Sequence, residues 1–518
     1  MSAQLSEQFH VKLAKEFVEA LTAPEKDNIY LFIGRGTPWP NGADTNSAAL
    51  PVPSTSVANG TYDYWRDMFA LLRISASNTS HVVPRRTWTS NARYSMYDHR
   101  ISRAELFANS TNPVYVINES TRDVFKCLYN GRSNSTSEPS QSTVAPDIQL
   151  IEDYTQLLTT PGNPKEYVWK YLYTVDSTDP YLTTNYIPVR AIHDTLDPTT
   201  GDVKDDGSNQ YDVFNTARLT NNGAIYTIVV ENPGTGYANS AEPPVITITG
   251  DGEGATAQAV LENNAVSRIY MTSYGQNYSY ATVSFSGGSP VTSATATAII
   301  SPRHAFANVT LGSGATSNVT KTFYRTNHGI DVEQELDAKY VMIYKQIPIE
   351  IADVLPTAST SASYRRIGLV RNPLLAGTSN VASANAYTTL TRLTVSGGNI
   401  ANFTPGEIIS QPTAQDPAYG VLVGRSGNTL WLSNVRGTFE AQKTVVGIGN
   451  GDAAGYGNIP ATPDAFTPVI PPSTTSATVT GVTLPSIAPY SGEILFVNHD
   501  TPTTRSDQTQ TVRIVLTF

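Results

Sequence analysis

IYLFIGRGTPWPNG, residues 29–42, is the stretch on which the reading of this chain turns. Five apolar residues, Ile29 to Ile33, run without interruption into a Gly-Arg-Gly turn and a Pro-Trp-Pro segment. A short apolar run rich in β-branched and aromatic residues, closed by Gly and Pro, fits a strand buried on both faces. Pro38 and Pro40 forbid a continued ladder and extend the chain into a loop carrying Trp39. That loop has two readings, a docking surface or a segment that tucks Trp39 into its own core. The first places Arg35 and Trp39 near an interface.

Composition sets the surroundings of this strand. The 518 residues hold about three or four domains on the usual size scale. Only 15% of residues are charged, while 28 Tyr, 36 Gly and 33 Pro favour strands and turns over helices. A formal net charge of -10 argues against nucleic acid as a partner. Cys127 is the single cysteine, which leaves no intrachain disulfide and no thiolate metal site. The charge-interrupted N-terminus does not read as a signal peptide, so none is expected, and no window reaches the length of about 20 apolar residues that a membrane helix needs. A soluble protein without membrane contact is expected.

Leu5, Phe9, Leu13 and Phe17 recur every fourth residue and predict an amphipathic helix stopped before Pro24. A second helix is predicted over 62–74, with Trp65, Met68, Phe69 and Leu72 on one side. Beyond it strands dominate, at 114–117, 124–129 and 167–175, around a polar loop at 131–146. After a junction at 201–212, residues 224–261 and 265–300 read as two copies of one unit. Ile225 and Ile228 align with Val266 and Ile269, and Pro233–Tyr237 with Tyr274–Tyr278; VITITG at 245–250 aligns with TVSFSG at 282–287. A repeat of about 40 residues with alternating β-formers and Gly-Tyr turns is a duplicated β-module. Residues 269–302 contain no charged side chain, which suits packing or contact rather than acid–base chemistry.

Longer strands return at 339–351 and 363–375, and 386–451 reads as a second small β-module. A Pro/Thr-rich linker follows at about 459–476, and two strands flanking a polar loop close the chain at 491–518. The expected fold is mainly β with a few helices (α+β) and multidomain, with a β-sandwich or barrel-like core and inserted β-modules. Its expected segments are 1–214 as the first part of the core and 215–300 as the duplicated module. Then come 301–385 as the second part of the core, 386–470 as the small module, and 471–518 as linker and terminal core strands.

Catalytic constellations are missing from the sequence. The seven histidines show no zinc spacing, and no nucleophile elbow, phosphate loop or dinucleotide fingerprint occurs. Asp202, Asp206, Gly207 and Asn209 only echo a calcium loop, with Lys204 where a ligand belongs. No metal, cofactor, small-molecule substrate or enzymatic activity is expected. Arg85, Arg86, Arg365, Arg366 and Arg371 stand out in a charge-poor chain, as guanidiniums for carboxylate pairing at an interface or for ion pairs within the subunit. Together with Arg35, Trp39 and Trp88 they form the candidate interface set.

Several blocks together resemble one family. IYLFIGRGTPWPNG (29–42), VVPRRTW (82–88), EYVWKYLYTV (166–175), TNYIPV (184–189), SYRRIGLVRNPLL (363–375) and the SGEILFVN…VRIVLTF terminus are similar to the baseplate wedge subunit called gene product eight in T-even-like contractile-tail phages. The resemblance spans roughly 1–200, 301–376 and 487–518, and leaves out the two modules. It implies a non-enzymatic virion protein of the tail baseplate, assembled in the host cytoplasm. It also implies a homodimer in each of six wedges that docks other wedge subunits and holds the baseplate before contraction. A reading of another class is an adhesin or carbohydrate-binding β-protein, with Tyr237, Tyr274, Tyr278 and Tyr280 of the repeat stacking on sugars.

Overall fold

The computed structural model describes residues 7–21, 27–36, 38–54, 59–132, 139–152, 156–190, 207–213, 223–237, 242–301, 305–310, 320–325, 336, 338–347, 364–398, 400–411, 418–448, 475–503 and 510–518. The chain separates into two compact units, one of residues 1–17, 80–342 and 515–518, the other of 18–79 and 343–514. The fold is mainly β, as expected. Most of the calcium-like loop and the Pro/Thr-rich linker lie outside the described residues.

In the second unit, Ile29–Gly34 is a core strand with all six residues buried. It is flanked by Met68–Arg73 and Tyr364–Arg371, and Glu493–Thr503 completes a four-stranded antiparallel sheet. Gly368 sits between Phe32 and the backbone of Phe496, where an added Cβ would lie 2.4 Å from each. The strands that carry Phe32, Gly368 and Phe496 close up to a ring-on-backbone contact that only glycine permits.

The helix expected over 62–74 ends early. Asn59–Arg66 is helical, whereas Met68–Arg73 is a strand paired Phe32↔Leu71 with Ile29–Gly34. The apolar run fits both periods, and the ladder offered by its neighbour outweighs helix propensity. The first helix, Glu7–Ala20, forms but buries Val11 and Ala14 while Phe9 stays exposed. Its face is thus rotated from the expected stripe, whose Leu5 lies outside the described residues.

The second β-module is a closed six-stranded barrel. Its last strand, Ser476–Thr483, lies beyond the expected module end at 470, because closure requires a strand that pairs with both Thr391–Ser396 and Thr444–Ile448. Leu393, Phe403, Leu422, Leu430, Leu432 and Val479 fill its interior.

In the first unit, Tyr115–Ile117, Asp123–Tyr129 and Tyr167–Thr174 lie close to the expected strands, and Leu158–Thr160, which was not expected, joins them in one antiparallel sheet. The duplicated module is a second sheet in the order Ile225–Asn232, Thr295–Ile300, Ala281–Ser286, Val245–Gly250, Glu253–Glu262, Ala265–Gln276. This order interlocks the two copies. The equivalent strands Val245–Gly250 and Ala281–Ser286 pair at the centre, with Val245↔Ser286 and Thr249↔Thr282 related by a pseudo-two-fold. Each outer strand then pairs with the third strand of the other copy, Ile228↔Ala298 and Ile269↔Ala259. The outer strands lie against each other, so the sheet rolls around Ile225, Ile228, Val266 and Ile269. Asn263 and Asn264, with φ of 52° and 58°, make the tight hairpin that joins the copies.

The Gly-Tyr turns obey the same symmetry. The Tyr237 N–H donates to Asn264 O (3.0 Å) and its hydroxyl accepts from Ala294 N (2.8 Å). The Tyr278 N–H donates to Gly223 O (3.0 Å) and its hydroxyl accepts from Ala255 N (3.4 Å). Both rings are buried plugs of the roll, so neither is available to a sugar, and Tyr274 is half-buried. Tyr280 remains exposed.

Candidate interaction sites

The Pro-Trp-Pro loop is folded onto its own unit. Gly34 ends its strand against Asp67, where a Cβ would sit 2.5 Å from the Asp67 carbonyl oxygen. Arg35 then turns in the left-handed region at φ 59°, and its N–H donates to that carbonyl at 2.7 Å. The Trp39 indole N–H donates to Asp500 O at 2.8 Å, and its ring lies 4.1 Å from the Arg35 guanidinium and 4.4 Å from the His499 ring. Trp39, Arg365 and Arg366 are only 4–6% exposed. Of the two readings of Trp39, the tucked one describes the chain, and these three side chains are absent from its surface.

Asp67 is the centre of this packing. Its fully buried carboxylate accepts from Arg35 (3.3 Å), Arg66 (3.2 Å) and Arg366 (3.1 Å). Arg365 holds Asp44 with two nitrogens, at 2.9 and 2.7 Å, while the Trp39 N–H donates to the same carboxylate at 2.9 Å. Burial pushes the Asp44 carboxyl up, but these hydrogen bonds outweigh it and hold it below its ordinary range. Arg366 Nε donates to His499 Nε2 (3.2 Å), so the imidazole proton sits on Nδ1, which donates to Pro51 O (2.7 Å). Burial first, and the nearby Arg366 and Arg35 next, lower the His499 pKa to about 4. The imidazole is therefore neutral near pH 7.

The remaining candidates stand apart from this cluster. Arg371 is 41% exposed and pairs with Asp27 (3.2 Å) and Glu493. In the other unit, Arg85 pairs with Glu119 and donates to Thr183 O (2.8 Å), and Thr87 donates to the same carboxylate. Burial pushes the Glu119 pKa up, yet the Arg85 and Thr87 hydrogen bonds bring it below normal. Trp88 is half-buried, with its indole N–H on Ser142 Oγ at 3.0 Å, and Arg86 is half-buried beside it.

A second cluster carries no sequence motif. Lys126, Lys170 and Arg268 are buried at 1%, 3% and 7% exposure. Lys126 Nζ lies 4.1 Å from the Tyr97 ring centre, and Lys170 Nζ donates to the Tyr226 hydroxyl at 3.0 Å. The Arg268 guanidinium lies 4.1 Å from the Tyr129 ring and 4.3 Å from that of Tyr270, and pairs with Glu166. Tyr270 also donates to Glu166 (2.7 Å), while Lys165 pairs with Glu262 (2.6 Å) and Arg100 with Glu231 (3.8 Å). Tyrosine faces attract cations desolvated between them. This layer docks the duplicated module on the sheet that carries Lys126 and Lys170. The one available signal was a lysine inside each of two otherwise apolar strands, VFKCLY and YVWKYLY. Among the described residues, no group of three or more His, Cys, Asp or Glu is placed to hold a metal.

Comparison with known proteins agrees with the block resemblance near the N-terminus. Residues 3–134 match the model of a family described as "Bacteriophage T4, Gp8". A relative, the baseplate wedge protein gp8 of Enterobacteria phage T4, is 31% identical over 81 residues. That alignment covers 16% of this chain and 24% of the relative, so the chain spans about a quarter of the length of the protein it matches. The blocks at 166–175, 184–189, 363–375 and 491–518 lie beyond the matched residues.

Proposed function

We propose that this chain, a Gp8-like baseplate wedge protein of a phage tail, is a dimeric structural connector that docks other wedge subunits and holds the baseplate before contraction. The observation that carries the reading is the match of residues 3–134, which includes the core strand Ile29–Gly34, the tucked Trp39 loop and the VVPRRTW block. The build of the chain supports it. A static connector needs rigid loops on a packed scaffold, and here the most conspicuous loop is fixed by an indole hydrogen bond, three arginines on one carboxylate and a bidentate ion pair. The role is non-enzymatic and needs no cofactor.

Of the candidate interface set, Arg85, Arg86, Trp88 and Arg371 are the ones with side-chain surface to offer a neighbour. Arg35, Trp39, Arg365 and Arg366 act from within, by holding the loop in shape. A two-fold dimer uses one self-complementary patch, and a lasting one buries at least about 2,000 Å² in total. Light scattering of the purified chain, followed by mixing with the other tail proteins of its phage, tests the reading. A dimer that joins a wedge complex is expected. A monomer that binds none of the neighbouring proteins overturns it.

A further inference from the structure

The charges of the duplicated module are unevenly placed. Residues 223–301 hold five acidic side chains and a single basic one, Arg268, which is buried. Glu231, Glu262 and Arg268 all pair with turn and loop residues beside the neighbouring sheet of the same unit, Arg100, Lys165 and Glu166. The strands central to the roll, farthest in sheet order from this docking layer, turn Ile246, Ile248, Val283 and Phe285 into the core. Their alternate residues, Thr247, Thr249, Thr282 and Ser284 among them, form an exposed face without charge. Paired strands about 4.8 Å apart set these hydroxyls in rows.

At one end of this face a more specific arrangement stands out. Tyr280 is 61% exposed, and its N–H donates to Asp251 at 3.2 Å, beside the Ser279 N–H at 2.7 Å. The position is rigid. A Cβ on Gly250 would lie 2.2 Å from Tyr280 O, and one on Gly252 would lie 2.5 Å from the buried Tyr278 ring. The turn is thus clamped between a plugged tyrosine and an outward one. Hydrogen bonds from Ser279 keep the Asp251 carboxyl well below its usual range, so the group is an ionised hydrogen-bond acceptor.

We propose that Tyr280, Asp251 and the hydroxyls of Thr249 and Thr282 form a contact site for a neutral polysaccharide. An exposed ring offers a face for the C–H side of a sugar, the carboxylate accepts its hydroxyls, and the threonines exchange hydrogen bonds with others. Acidic polymers are repelled by a surface whose exposed charges are all negative. The face holds no Met or Arg, the side chains favoured with aromatics in interface cores, and apart from Tyr280 and Val245 it is made of small hydroxyl residues. This site goes beyond the connector role and does not depend on it.

The test is electrophoresis of the full chain through gels containing dextran, mannan or galactan, with alginate as the acidic counterpart. Retardation by at least one neutral polymer and not by alginate is expected. Tyr280→Ala should weaken it at least tenfold, and Tyr280→Phe should keep most of it, with thermal melting unchanged in both. Mobility unaffected by all three neutral polymers overturns the proposal, as does retardation that survives Tyr280→Ala or a preference for alginate. Loss of wedge assembly in Tyr280→Ala also overturns it, because the face would then belong to a protein neighbour.

Discussion

Two clusters of buried cations hold this chain together by opposite means. Around Trp39, three arginines share one fully buried carboxylate, Asp67, and a second carboxylate holds Arg365. Beneath the duplicated module, Lys126, Lys170 and Arg268 lie against the rings or hydroxyls of Tyr97, Tyr226, Tyr129 and Tyr270, and Glu166 is partly in water. The first gathers its arginines around one fully buried anion, and fails if that anion is removed. The second spreads each cation over polarisable faces and a solvated partner, so one lost contact leaves less uncompensated charge. A buried ion cluster is costly to break and gives a single geometry, whereas a ring-lined seam tolerates change. The loop calls for the former, and a docked module is served by the latter.

The largest effect is therefore expected at Asp67. Asp67→Ala strands Arg35 and Arg366 without their anion, and removing one partner of a buried pair costs about 3–5 kcal/mol. Denaturant unfolding should show that loss, together with a red-shifted, quenchable Trp39 signal if the loop detaches. A cost below about 1 kcal/mol would mean that water reaches the cluster and that the contrast between the two sites is wrong.

Next comes Arg268→Met, which keeps the apolar stem between Tyr129 and Tyr270 and removes only the charge. Cation–ring contacts contribute about 0.5–2 kcal/mol, and the partly exposed Glu166 can be solvated by water, so a loss of about 1–2 kcal/mol is expected. A loss as large as that of Asp67→Ala would show that the second cluster also depends on one buried ion. The same measurement bears on the module itself. Because its seam is closed by side chains of the adjacent sheet, deletion of 223–301 should lower the cooperativity of unfolding of that unit.

What could be read in the sequence follows the same division. The core strand Ile29–Gly34, the terminal strands and the duplication were legible because each rests on a local pattern, an apolar run or a repeat. Arg365 and Arg366 were legible as unusual residues, but not as buried ones, since what buries them is Asp44, Asp67 and His499, more than a hundred residues away in the chain. The interlocking of the copies was hidden because a repeat fixes its strands and leaves open which copy each strand pairs with. The 62–74 segment failed for the reverse reason: its local pattern was clear, and the neighbouring ladder overrode it. Lys126, Lys170 and Arg268 lacked any shared motif, and only the fold brings them under one layer of tyrosines.

Acid gives a third, smaller way to separate the clusters, since the Trp39 cluster contains His499. Its folded pKa of about 4 lies below the unfolded value of about 6.5, so the unfolded chain binds more protons between these limits. Stability from this group is present above pH 6.5 and is lost as the pH falls toward 4. Glu407 in the barrel works the other way. Burial raises its pKa to about 7, above the unfolded value near 4.5, so its contribution fades as the pH rises through that range. The two trends partly cancel in the whole protein. The informative quantity is thus the stability of the parent minus that of His499→Asn, which should grow from pH 4 to 6.5 and then level off. A pH-independent difference would place His499 in contact with water.

The smallest stability effect is expected at Arg371, and its smallness is the point. This guanidinium also meets two carboxylates, Asp27 and Glu493, as Asp67 meets its arginines, but it does so with 41% of its side chain in solvent. Exposed pairs contribute about 0–1 kcal/mol, because water screens the attraction and ordering two long side chains offsets much of the rest. Arg371→Ala should therefore change the unfolding free energy by less than about 1 kcal/mol, with that change shrinking further in 1 M salt, where screening acts within about 3 Å. Arg85→Ala should behave nearly alike, because its partner Glu119 is 44% exposed although Arg85 itself is only 20% exposed. If either variant instead costs as much as Asp67→Ala, burial does not separate the clusters. If both are silent in stability yet weaken joining of the wedge complex, these arginines serve a neighbour, while those around Asp67 serve the fold.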